Sequence, residues 1–268
     1  SRLNQSERAR LVADIDAALP RVHRYAPATP ILSIPSLDAL IKGHVVLKAE
    51  CAQATGSFKI RGALNVMTQL SSEGADRVIA FSSGNHGIGV AYAAQCLKMS
   101  ATIVVPHDAP EAKVDRIRRL GGEIVWYDRL SEDREDVAKA LQDKNPAPLV
   151  KPYDDWDTIA GQGTCGAEVI AQVPAAIDTA IICTGGGGLA AGIGTYLKSH
   201  YPDTRVVTAE PEGWHDHYLS FQSGKRVKAP GDGTQWCDGL LAPIPGELTF
   251  SINQANDAEG LCVSDERV

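Results

Sequence analysis

A single lysine stands in "ATGSFKIRGALN", residues 54–65, between two glycines and among small and apolar residues. It is not part of a basic patch. A lone amine at such a place suits carbonyl chemistry, because lysine forms Schiff bases and desolvation by apolar neighbours lowers an ammonium's pKa. The same spacing suits a helix lysine that snorkels to water, and Lys59 alone does not separate the two.

A second stretch bears on the choice. "CTGGGGLAAGIG", residues 183–194, sets Gly185, Gly186, Gly187 and Gly188 between an apolar run and a helical pattern. Four glycines lose much backbone entropy on ordering. Their amides at a helix N-terminus can wrap an anion, a phosphate above all. A tightly packed turn is the plainer alternative. The loop lacks GxxxxGK[ST], so it is no Walker loop, and it lacks the GxGxxG fingerprint. Glu210, about twenty positions on, keeps a nicotinamide dehydrogenase as a rival. A phosphate loop without a nucleotide motif, together with a singular lysine, suggests a phosphorylated aldehyde held covalently, as in pyridoxal phosphate.

These residues need elements to position them. Leu11, Val12, Ile15 and Leu19 predict an opening helix that stops before Pro20. "HVVLKAE", 44–50, reads as a strand leading to Lys59. From residue 77 apolar runs alternate with helical patterns: "RVIAFSS", "ATIVVP", "EIVWYD" and "PLVKPY" are four strands, separated by three helices. A helix over "WDTIAGQGTCGAEVIAQV", a strand "DTAIICT", a helix after the glycines and a strand "RVVTAE" continue the pattern. Such alternation predicts α/β units with parallel sheets. The reading is two open α/β domains with a cleft between them: a large one of residues 1–66 plus 154–268, and a small inserted one of 67–153.

Composition narrows the function classes. With 44% hydrophobic and 22% charged residues the chain resembles an ordinary globular protein. A net charge of −7 and the lack of basic–aromatic runs argue against nucleic acid. No run approaches the ~18 apolar residues of a membrane span. The charged N-terminus has no signal-peptide core, and six scattered cysteines read as free thiols, so a cytoplasmic location is expected.

"TGSFKIRGA", "SSGNHGIGVAYAA", "GQGTCGAE" and "GGGGLAAGI", in that order, resemble the pyridoxal-phosphate serine/threonine dehydratase and serine racemase family, from about Pro27 onward. The resemblance implies the tryptophan synthase β-subunit fold, with the cofactor in the cleft, and a homo-oligomer, dimer or tetramer. Lys59 then matches the Schiff-base lysine and general base, Phe58 a residue beside the pyridine ring, and Asn85 the partner of the 3′-oxygen. Gly185–Gly188 match the phosphate loop. Ser82, Ser83, Asn85 and His86 match the loop that receives the substrate carboxylate. Ser83 also matches the second base of the family's racemases. The activity implied is elimination from L-serine or L-threonine to a 2-oxo acid and ammonia, with the cofactor phosphate as acid. Serine racemisation and 3-hydroxyaspartate dehydration are the alternatives, and a non-catalytic phosphate-ligand sensor is the rival outside this chemistry.

In members that bind Mg²⁺ or Ca²⁺, carboxylates matching Glu210 and Asp216 are joined by the carbonyl matching Trp214. His215 and His217, two apart, point to different helix faces, and exposed histidines are expected there. The resemblance also implies a tail beyond "VSDE", 263–266, carrying the partner of the pyridine nitrogen; that partner is left unassigned.

Overall fold

The computed structural model describes residues 3–82 and 84–268. The chain opens with α1 (Gln5–His23), capped by an Asn4–Glu7 capping box. β1 (Ile31–Ser33), α2 (Pro35–Ile41) and β2 (Val46–Lys48) follow. β1 and β2 form a short antiparallel pair. α3 (Lys59–Ser72) begins at the lysine itself. Next come β3 (Arg77–Phe81), α4 (Asn85–Leu97), β4 (Ser100–Pro106), α5 (Glu111–Arg119), β5 (Glu123–Tyr127) and α6 (Arg134–Lys144). The remainder is α7 (Trp156–Gln172), β6 (Thr179–Cys183), α8 (Gly188–His200), β7 (Arg205–Pro211), α9 (Asp216–Ser223), α10 (Glu247–Ala255) and β8 (Glu259–Val263).

Two parallel three-stranded sheets result, β3-β4-β5 and β6-β7-β8. The α/β reading therefore holds, with two corrections. α1 runs through Pro20 to His23, because Val22 is fully buried and the Pro20 carbonyl still accepts from Arg24 N–H. The expected strand at "PLVKPY" is only a bridge between Leu149 and Ile79. Pro146, Pro148 and Pro152 remove the N–H groups that a longer ladder needs.

The packing turns on α7. A Cβ on Gly161 would lie 2.6 Å from the Arg61 carbonyl oxygen and Gly62 Cα of α3. A Cβ on Gly192 of α8 would lie 2.6 Å from Gly163 N of α7. Only glycine permits backbone to approach backbone this closely, so α7 is clamped between α3 and α8. This is the physical content of "GQGTCGAE". The same region holds a buried ion network. Arg61, fully buried, donates from Nε and Nη2 to Glu50, at 2.8 and 2.7 Å, and from Nη1 to Glu168. Glu168 also accepts from Lys48 Nζ at 3.0 Å and Thr29 N–H at 2.9 Å. Burial works against Arg61's charge, but the two carboxylates raise its pKa beyond that of a free guanidinium.

The helix clamp can be tested by filling it. Gly161→Ala drives a methyl into backbone atoms that cannot rotate away. The expected loss is about 1–3 kcal/mol of unfolding free energy, read by chemical denaturation. Wild-type stability would show that the three helices do not depend on this contact.

Candidate active site

α3 and α8 bring their N-termini to one pocket, lined by Phe58, Lys59, Tyr153, Gln162, Gly185–Gly188 and Leu240, among others. The Lys59 ammonium donates to the Pro152 carbonyl at 2.7 Å and lies 5.4 Å from the Phe58 ring centroid and 5.8 Å from that of Tyr153. Burial of the amine, and secondarily the charge of Arg134, lower its pKa to about 8. The lysine is thus poised to be a neutral amine, as carbonyl chemistry requires.

The glycine loop is held from behind. The Gly186 carbonyl accepts from Thr249 Oγ1 at 2.6 Å, and the Gly187 carbonyl from Asn253 Nδ2 at 3.2 Å. In a trans peptide the N–H points opposite the C=O. The amides of Gly187 and Gly188 therefore turn away from α10, while the φ of +98° at Gly187 favours glycine. Tyr153 packs on the pocket side: a Cβ on Gly186 would lie 2.2 Å from its ring. Asp154 in turn caps α10, accepting from Glu247, Leu248 and Thr249 N–H groups at 3.1, 2.8 and 3.2 Å. The donor set fits a phosphorylated aldehyde, with an amine for the carbonyl and loop amides for the phosphate.

At the start of α4, Ser82 Oγ accepts from Gly84 and Gly87 N–H at 3.0 and 2.8 Å, so it caps the helix. His86, 4% exposed, donates from Nε2 to the Val150 carbonyl at 2.8 Å. Burial first, then Lys59, lower its pKa to about 3, so the ring is neutral and Nδ1 is a buried acceptor without a partner among the described residues. A Cβ on Gly239 would lie 3.5 Å from Asn85 Nδ2, which places Asn85 beside the Gly239–Leu240 segment of the pocket. Ser83 lies outside the described residues.

Glu210, Asp216 and His217 form a second cluster. Glu210 and Asp216 meet, as expected. The Trp214 indole is engaged elsewhere, with Nε1 donating to the Thr234 carbonyl at 3.0 Å. The expectation of an exposed histidine fails at His217, which is fully buried. Its N–H and that of Tyr218 both donate to Glu210 at 2.9 Å, drawing the first turn of α9 over the carboxylate. Burial opposes a charge on His217, but Asp216 and Glu210 outweigh it and raise its pKa to about 8.

Sequence reasoning missed Tyr153, Arg134, Thr249 and Asn253. Tyr153 had a signal, since it follows an apolar run where βα folds place ligands. Thr249 and Asn253, four apart on one helix face, had the weaker signal of a polar pair on a buried stripe.

A lysine amine facing an amide-bearing glycine loop in an α/β pocket defines a class: enzymes that hold a phosphorylated aldehyde cofactor. The chain belongs to the pyridoxal-phosphate-dependent enzyme family, whose model matches residues 23–268, and it has the fold of that family's tryptophan synthase β-like branch. It is 41% identical to a serine racemase of Oryza sativa subsp. indica, over 90% of this chain and 70% of the relative. It is 38% identical to an L-threo-3-hydroxyaspartate ammonia-lyase of Pseudomonas sp, over 94% of this chain and 79% of the relative. The solved processed form of threonine deaminase isoform 2 from Solanum lycopersicum superposes with a TM-score of 0.89 at 34% identity, covering 98% of this chain and 72% of the other.

The lowered amine pKa predicts a pH profile. Only the neutral amine attacks an aldehyde, so capture of pyridoxal phosphate by cofactor-free protein should quicken with pH and level off just above about 8. An unperturbed lysine would keep gaining to about 10.4. Stopped-flow absorbance across this range decides between them.

Proposed function

We propose that this chain is an ammonia-lyase that converts a small β-hydroxy amino acid, L-threonine, L-serine or 3-hydroxyaspartate, to a 2-oxo acid and ammonia. One observation carries the reading: the Lys59 amine, depressed toward neutrality, shares a pocket with a glycine loop whose carbonyls are tied back by α10. Relatives named as ammonia-lyases for 3-hydroxyaspartate and threonine support it.

Pyridoxal phosphate, when bound, supplies an aldehyde for covalent attachment and a ring that delocalises charge from the substrate's Cα. The protein's own residues do the rest. Gly185–Gly188 hold the phosphate end through loop amides at the start of α8, where the helix dipole favours an anion. Phe58 would flank the ring, and Asn85 would hydrogen-bond its oxygen. The segment Ser82–His86 receives the substrate carboxylate at the N-terminus of α4, and neutral His86 adds no charge there. Lys59 is the residue that would hold the aldehyde, and its amine, when free, would remove the substrate's Cα proton. Glu210 and Asp216, with the Trp214 carbonyl, would hold a divalent cation that supports the large domain, and Mg²⁺ or Ca²⁺ would suit these oxygen donors.

The division into residues 1–66 plus 154–268 and residues 67–153 belongs to this reading, and one parallel sheet falls in each part. So does a homodimer or tetramer, supported by the exposed Leu40, Ile41 and Leu47 of the α2–β2 region. Six free cysteines support a cytoplasmic location.

Lys59→Ala should abolish both turnover and the cofactor that borohydride locks onto the peptide, and retained turnover would remove the assignment. A panel of β-hydroxy amino acids, assayed for 2-oxo acid, ranks the substrates.

Serine racemisation is the second reading, favoured by the racemase relatives and by the serine at position 83. It needs a proton donor on the cofactor face opposite Lys59. Ser83→Ala should then suppress D-serine formation from L-serine while 2-oxo acid formation largely survives. Equal loss of both activities would count against a second base, and wild-type protein that forms no D-serine leaves the lyase alone.

A further inference from the structure

Gln162 sits where the three clamped helices cross. Its neighbour Gly161 meets the backbone of α3, and its other neighbour, Gly163, meets that of Gly192 in α8. The side chain between them is 1% exposed and lines the same pocket as Lys59 and the glycine loop. One end of its amide is already engaged, because Oε1 accepts from Gly62 N–H of α3 at 3.0 Å. An N–H donor must face the oxygen of an amide, so this bond fixes which way round the group lies. The other end, Nε2, is buried and has no hydrogen-bond partner among the described residues. It has room only because residue 62 is glycine: a Cβ there would lie 2.6 Å from Nε2. Leaving a buried amide donor unmet is costly, so a folded protein keeps one where something meets it.

The polarity of the pocket says what that something is. Its acceptors are taken in turn. The carbonyls of Gly186 and Gly187 are held by α10, and the Pro152 carbonyl by the Lys59 ammonium. Gln162 Oε1 is held by α3. Donors are left over: the Lys59 amine, the amides at the start of α8, and Gln162 Nε2. A surplus of donors beside a helix N-terminus suits an anion with several oxygens. Of the parts of pyridoxal phosphate, the phosphate alone answers to that description. The aldehyde goes to Lys59 and the ring oxygen to Asn85.

We propose that Gln162 is a phosphate-binding residue, whose Nε2 donates to the cofactor phosphate from the α7 side, alongside the loop amides of Gly185–Gly188. The glycines that flank it then have a second use. By seating α7 against α3 and α8, they set the depth at which the amide meets the anion. This deepens the reading that puts pyridoxal phosphate in the pocket, and it rests on that reading.

Gln162→Glu keeps an oxygen for Gly62 N–H and exchanges only the donor for an acceptor. The whole chain, freed of cofactor, is titrated with pyridoxal phosphate and with pyridoxal, which lacks the phosphate. Absorbance reads the bound compound. The variant should bind pyridoxal phosphate about 10- to 100-fold more weakly than wild type, the loss expected for a hydrogen bond to a charged group. Its binding of pyridoxal should be little changed. Unchanged affinity for pyridoxal phosphate, or equal weakening of both compounds, overturns the proposal and leaves the cofactor reading intact. Wild-type protein that binds the two compounds alike removes that reading, and the role of Gln162 with it. Should the variant fail to fold, NMR of wild-type protein labelled at its glutamine side chains decides. A side-chain amide signal that moves with pyridoxal phosphate but not with pyridoxal supports the assignment, and the lack of one overturns it.

Discussion

The close approach of α7 to two other helices is the constraint on which the site depends. α3 starts with the lysine, and α8 starts at the glycine loop. Neither lines the pocket except at its N-terminus. Their relative position is set by the helix between them, through contacts in which a methyl group would have no room. Such contacts are stiff, because backbone cannot change rotamer. The charges of Arg61, Glu50 and Glu168 reinforce the arrangement two residues beyond the lysine. Breaking a buried pair of this kind by removing one partner typically costs about 3–5 kcal/mol, so the network resists partial loss.

Much of this was legible in the residues themselves. Alternating apolar runs and helical patterns gave away the parallel sheets, most clearly in β3 and β4, which are buried almost throughout and nearly continuous in Val, Ile and Ala. Lys59 and Gly185–Gly188 stood out because each is costly to place without a reason. What was illegible came from tertiary context. Pro20 signals a helix end by local chemistry, yet burial of Val22 carries α1 past it. Three prolines near Leu149 reduced an apolar run to one bridge.

His217 illustrates the limit more sharply. Helical geometry does set His215 and His217 on different faces. It says nothing of which face is buried. Glu210, on a strand, accepts the first N–H groups of α9 and draws His217 inward, a contact no local pattern encodes. Thr249 and Asn253 were hidden for a similar reason. Their helix is ordinary in sequence, and only the fold shows that it grips the loop.

That grip has a consequence for how the protein is made. The carbonyls of Gly186 and Gly187 are held by side chains 63 and 66 residues further along. During synthesis the strand, the loop and α8 leave the ribosome well before α10 exists to restrain them. Until then the glycines are free to sample many conformations, and a phosphate meets no ordered set of amides. An ordered glycine loop must therefore wait for α10. A nascent or truncated product lacking α10 has the reactive lysine but no organised place for the phosphate, so the chain does not commit cofactor to an unfinished enzyme.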